Sequence, residues 1–154
     1  MCVVSERSAD RKISFHAFDP VNGIGPKLAE FAAPPEVSYE SRLSPDGPRI
    51  AVYRPGENYI HIVWVNGQPP QDIVVKGWNE TGDVFWAADA KSFFVASSKG
   101  QVPVVLHVDL QGNAQVLWEV QGGTNTYSVP SPDGRHLAMQ KMTVDGNMWM
   151  MENF

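Results

Sequence analysis

Apolar residues in this chain gather in short runs rich in Val, Ile, Phe, Tyr and Trp, and proline or glycine interrupts nearly every run. Runs of about five to eight such residues, bounded by turn formers, read as β-strands. No window sustains an apolar period of 3.6 residues; the best helical candidate, GPKLAEFAA at 25–33, is short and stops at a Pro-Pro pair. In YIHIVWV at 59–65 both the odd and the even positions are largely apolar, so this strand is expected to be packed on both faces. A sheet with one solvated face would alternate. The pattern predicts an all-β chain whose sheets are sandwiched between neighbours.

The chain also repeats itself. SRLSPDGPRIAVYR at 41–54 returns as SVPSPDGRHLAMQK at 128–141, and between them Ala87-Ala88-Asp89-Ala90 holds the same phase. Ser44 aligns with Ala87 after 43 residues and Ala87 with Ser131 after 44. A period of about 40–45 residues holding four short strands is the mark of a β-propeller blade. The turn chemistry explains the recurring letters. Pro45 and Pro132 fix φ at the first central position, Asp46, Asp89 and Asp133 can bond their own backbone, and Gly47 and Gly134 accept a positive φ. A second turn recurs at 19–23, 66–67 and 109–112. Ala87, Ala88 and Ala90 replace the turn Ser, Pro and Gly, which predicts a looser hairpin there.

The expected strands cover 2–5, 13–18 and 27–31 in an incomplete first blade (1–35). They cover 37–43, 49–53, 59–65 and 72–75 in a second blade (36–78), and 83–86, 92–96, 103–108 and 114–118 in a third (79–122). An incomplete last blade (123–154) holds 126–129, 136–140 and 147–151. The predicted fold is an open arc of a β-propeller with about three and a half four-stranded antiparallel blades. Unpaired edges would then make the chain prone to pair with further blades of a longer parent or with itself.

LSPDGPRIAVYR, FWAADAKSFFVAS and PSPDGRHLAM resemble the WD40-like repeats of the TolB type (PD40). SPDGRHLAMQKMTVDGNMWMMENF is similar to the end of the propeller region attached to bacterial serine/threonine protein kinases and winged-helix transcriptional regulators. The resemblance spans essentially the whole chain and implies a sensing, docking or scaffolding module. Fold alone does not fix function.

Charge and composition narrow the partners. A net charge of −5 with scattered Lys and Arg offers no basic stripe, which argues against nucleic acid. Cys2 is the only cysteine, so a disulfide framework or a cysteine zinc site cannot form within one chain. The apolar runs fall short of a membrane-spanning helix, and MCVVSERSADRK lacks the apolar centre of a signal peptide. Neither observation fixes a compartment.

Candidate chemistry is sparse. His16, His61 and His107 fall on third strands at different offsets from the following turn and His136 on a second strand, so no recurring metal ligand set emerges. Met148 and Met150 alternate with Trp149 and Met151 as in a blade strand packed on both sides, not as a soft-metal site. GIGPKLA at 23–29 lacks the third glycine of a dinucleotide loop and reads as a hairpin turn. Asn79-Glu80-Thr81 matches a glycosylation acceptor but reads as a surface loop. No nucleophile with its base, no phosphate loop and no cofactor site is legible.

Binding residues are therefore sought on the connections that line one face of a propeller. KGWNETG at 76–82 leads, because Trp78 between polar neighbours, Asn79 and Glu80 offers stacking area with hydrogen-bonding groups. QGGTNTY at 121–127, with Asn125 and Tyr127, and RPGENY at 54–59, with Arg54 and Tyr59, follow. The leading expectation is a non-catalytic module that binds a protein, peptide or small ligand, as the C-terminal part of a larger bacterial sensor or regulator. The alternatives are part of the gating propeller of a prolyl-oligopeptidase-like hydrolase, and an assembly piece whose copies pair.

Overall fold

The computed structural model describes residues 2–34 and 36–152; the blade limits expected at 1, 35 and 154 lie outside them. The described residues form four antiparallel sheets. The first contains β1 (Cys2–Ser8), β2 (Lys12–Asp19) and β3 (Gly23–Ala32), and the second β4 (Glu40–Leu43), β5 (Arg49–Tyr53), β6 (Tyr59–Trp64) and β7 (Gln71–Val74). The third contains β8 (Val84–Trp86), β9 (Ser92–Lys99), β10 (Val102–Asp109) and β11 (Ala114–Glu119), and the last β12 (Asn125–Pro130) and β13 (Leu137–Met142). Each strand pairs with its sequence neighbours, and the sheets pack face to face through β3 on β6, β4 on β8, and β12 on β8, β9 and β10.

Double-sided apolar strands make this stacking possible. On β5, Ile50 and Val52 join Ile13, Phe15 and Val63 between the first two sheets. Ala51 and Tyr53, pointing the other way, join Ile60, Ile62, Val84, Phe93 and Val95 between the second and third. Side chains alternate along a strand, so one five-residue run supplies two cores. The last interface is different: Thr126 and Ser128 are the buried residues of β12, and the Thr126 hydroxyl donates to the Gln140 carbonyl at 2.6 Å.

The two outermost faces also differ. On the first sheet, Lys12 pairs with Glu30 at 2.6 Å, Lys27 with Glu30 at 3.0 Å, and His16 lies 3.9 Å from Glu6. On the last sheet, Tyr127, Val129 and Met142 stand out unpartnered by another sheet, each about two-fifths exposed.

The three hairpin turns share one geometry. Gly47 and Gly134 take positive φ and donate to Ser44 and Ser131 carbonyls at 2.9 Å, while the Ser44 and Ser131 hydroxyls accept from Arg49 and His136 amides. Asp133 accepts from the Ser131 hydroxyl at 2.6 Å and Asp46 receives Arg49 at 2.8 Å. The hairpin expected to be looser keeps the pattern. Ala90 takes φ of 56°, its amide bonds Ala87 at 2.9 Å, and Asp89 accepts from the Lys91 amide at 2.9 Å. Backbone bonding and the aspartate suffice to close the turn, and the Arg49 guanidinium holds the Ala90 carbonyl at 2.7 Å.

Two expectations are corrected. GIGPKLA is not a turn: Asp19 caps the reversal by accepting from the Val21 and Asn22 amides, and Gly23 already opens β3. Residues 147–151 form no strand, and Met148, Trp149, Met150 and Met151 are exposed, Met148 by 98%. The alternating pattern is present there, but a third strand would extend the sheet beside β13, where among the described residues nothing is stacked on the outer face, so it would bury little apolar surface.

Candidate functional site

The connections β5–β6, β7–β8, β9–β10 and β11–β12 meet at one end of the second and third sheets. Their positions are fixed by backbone bonds that cross between them. Gly56 donates to the Thr81 carbonyl at 2.8 Å, the Thr81 amide and hydroxyl both donate to the Glu57 carbonyl at 2.8 Å, and Gly82 donates to Ala96 at 2.7 Å. Thr81 is buried by this arrangement, with its hydroxyl already committed. The Asn58 side chain donates to the Trp78 carbonyl at 3.1 Å, tying the first loop to the second.

Two recesses open between these loops. One, of about 490 Å³, is lined by Trp78, Asn79 and Glu80 together with Ser98, Lys99 and Val116. The other, of about 370 Å³, runs from Pro55 and Gly56 past Glu80 and Ser98 to Thr124 and Asn125. Glu80, Ser98 and Gly100 belong to both, so the recesses are two lobes of one groove. Glu80 is held in place from β9: the Ser97 hydroxyl donates to its carbonyl at 2.7 Å and the Ser98 hydroxyl to its carboxylate. Trp78 is half-buried, resting on the core between the second and third sheets while its remaining surface lines the groove.

The predicted binding residues divide accordingly. Trp78, Asn79, Glu80 and Asn125 line the groove. Arg54 lies just outside, paired with Glu57 at 2.7 Å. Tyr59 is the first residue of β6, parallel to His61 with ring centres 6.4 Å apart, and lines neither lobe. Tyr127 lies within β12 opposite Gln140, on the bare outer face of the last sheet. Ser98 and Gly100, in SSKGQV, are groove residues that sequence reading missed; nothing in a short Ser-Gly hairpin distinguishes a lining loop from any other.

The other end of the third sheet holds a contact that spacing did not reveal. Ser92 Oγ and His107 Nε2 are 2.8 Å apart, beside Phe94 and near Asp89, Arg135 and His136. Ser92 is buried, and among the described residues no carboxylate is hydrogen-bonded to His107. Among the described residues no group of three or more His, Cys, Asp or Glu side chains is placed to hold a metal ion. No described helix is long and apolar enough to cross a membrane.

No family model matches this sequence, and no curated protein matches it. The fold has solved counterparts. A candidate 6-phosphogluconolactonase from Bacteroides fragilis, a β-propeller, superposes with a TM-score of 0.52 at 13% identity, over 84% of this chain and 41% of its own. The chain thus spans less than half the length of that protein, and the likeness defines an all-β propeller-like fold.

Proposed function

We propose that this chain is a non-catalytic binding module that takes a partner segment or small ligand into the groove between its second and third blades. The supporting observation is the convergence of 54–58, 76–82 and 121–125, distant in sequence, on one two-lobed groove that pairs an aromatic surface with Asn79, Glu80 and Asn125. A half-exposed indole bordered by amide and carboxylate groups offers both contact area and direction. The TolB-type character of the Ser-Pro-Asp-Gly repeat supports a docking or sensing role within a larger bacterial regulator. The lactonase assignment of the Bacteroides fragilis protein is not carried over, since a likeness at 13% identity reaches only the fold.

The test is a thermal-shift screen of short peptides and small ligands against the wild-type protein, Trp78→Ala and Asn125→Ala. Ligands of the groove are expected to bind Trp78→Ala at least about ten-fold more weakly at a temperature where circular dichroism shows the variant still folded. Hits indifferent to both substitutions would overturn the assignment of the groove. Turnover of a generic ester or peptide substrate that is lost in Ser92→Ala would overturn the non-catalytic reading.

A further inference from the structure

A second cavity, which shares no lining residue with the loop groove, lies between the first and second sheets. It encloses about 510 Å³, and one wall is a continuous stretch of β3, from Leu28 to Ala32. The β3 strand pairs with β2 on one side and has no strand on the other. Exposed sheet edges are usually blunted by proline, bulges or charge. On β3 the proline and the bulges fall in one half: Pro26 and the register shifts opposite Phe15–Phe18 disturb 23–28, and the other half carries one charge, that of Glu30. From Ala29 to Ala32 the pairing with β2 is regular, Ala29 facing Phe15, Glu30 facing Ser14, Phe31 facing Ile13 and Ala32 facing Lys12. The regular half of the edge is the half that borders the cavity.

The opposite wall has a definite chemistry. Phe31 meets Tyr39 edge to face at 5.3 Å and His61 at 5.1 Å, forming a run of three rings. Asp72 lies beside it, its Oδ1 2.7 Å from His61 Nδ1. Since a carboxylate can only accept, His61 donates to it from Nδ1. The lining contains two acids, Glu30 and Asp72, and neither Lys nor Arg. Glu30 is already held by Lys12 and Lys27, whereas Asp72, about three-fifths exposed, has His61 and no Lys or Arg beside it among the described residues. Ring faces are electron-rich and attract cations.

We propose that this crevice is a docking site for an extended basic peptide, which adds as a strand to the Ala29–Ala32 edge of β3 and inserts one Lys or Arg side chain over Phe31 and Tyr39 toward Asp72. The backbone supplies the contacts common to every β-augmented peptide, and the aromatic recess with its carboxylate selects the side chain. A chain of net charge −5 favours the same sign of partner.

The experiment is fluorescence anisotropy with a labelled peptide of alternating Thr and Val carrying one central Lys, run on the full chain. Saturable binding is expected, weakened about ten-fold or more by replacing the Lys with norleucine, by N-methylating alternate peptide amides, or by Asp72→Asn in the protein. Circular dichroism of Asp72→Asn should match the wild type, so that loss of binding is not loss of fold; Phe31→Leu, which keeps the core filled but removes the ring, should weaken the peptide similarly. Trp78→Ala should leave the affinity unchanged, which separates this site from the loop groove. No binding, equal binding of the norleucine or N-methylated peptide, indifference to Asp72→Asn, or a loss in Trp78→Ala would each overturn the proposal.

Discussion

The guanidinium of Arg49 lies over the indole of Trp86, 4.9 Å from the ring centre, and so fastens the second sheet to the third. Its other neighbour is the Trp64 ring at 5.6 Å, and Nη2 reaches both Asp46 and the Ala90 carbonyl. A planar fork can stack and bond at once, which an ammonium cannot. Arg49→Lys is expected to lower stability by about 1–2 kcal/mol. An unchanged urea midpoint for this variant would refute the role.

The Ala90 backbone sits at φ of 56°, a region an L-residue other than glycine enters at a cost of about 1 kcal/mol. The recurring turn holds glycine at this point in its other two copies. Ala90→Gly is therefore expected to stabilise the protein by up to about 1 kcal/mol, because relief of strain outweighs the added freedom of the unfolded chain. Thermal melting compared with wild type decides the sign.

Gly112 and Gly67 share a φ of 79° but not their surroundings. A Cβ on Gly112 would fall 1.9 Å from the Val74 carbonyl oxygen, where the β10–β11 turn crosses the end of β7 and Lys76 donates to Gly112 at 2.9 Å. At Gly67 nothing lies within 4 Å. Gly67→Ala should cost about 1 kcal/mol from backbone strain, and Gly112→Ala about 3 kcal/mol or more, since two sheets must part. Equal losses in denaturant titrations would contradict the crossing.

Asp109 closes the same turn by accepting from Asn113, side chain and amide, and from the Gln111 amide, and these bonds hold its carboxyl below the ordinary value of 3.8. A depressed folded value means that the contribution is complete above the unfolded value and is lost as pH falls through the folded one. Stability should therefore decline below about pH 4. Asp109→Asn should show a shallower decline in urea midpoint between about pH 5 and pH 2.5 than wild type. Identical slopes would remove Asp109 from the account.

Local chemistry was legible in the sequence and contacts between sheets were not. Pro45, Asp46 and Gly47 announced their hairpin because each residue meets a requirement of the turn itself. Trp78 stood out because an indole beside Asn79 and Glu80 offers stacking area with hydrogen-bonding groups. Ser98 and Gly100 carry no such signal, and their place in the groove depends on Glu80 arriving from another connection. The cavity beside β3 was invisible for the same reason: Phe31, Tyr39 and His61 lie on three segments that only the packing of two sheets unites. Residues 147–151 show the converse, a strand pattern without the neighbour that would make it one.

The unlike outer faces give the molecule a direction. Copies joining head to tail would have to press the Tyr127–Val129–Met142 surface of one onto the Lys12–Glu30–Lys27 surface of the next, stripping water from ionised groups and offering them no new partner. Open filaments require two complementary ends, and the exposed Phe18 and Ile24 of the first sheet share that sheet with the ionised Lys12, Lys27 and Glu30, a poor match for the apolar surface of the last. Contact through the Tyr127–Val129–Met142 surface would turn one copy about a two-fold axis onto the other and use up both surfaces. Self-association built through that surface would be expected to stop at a pair.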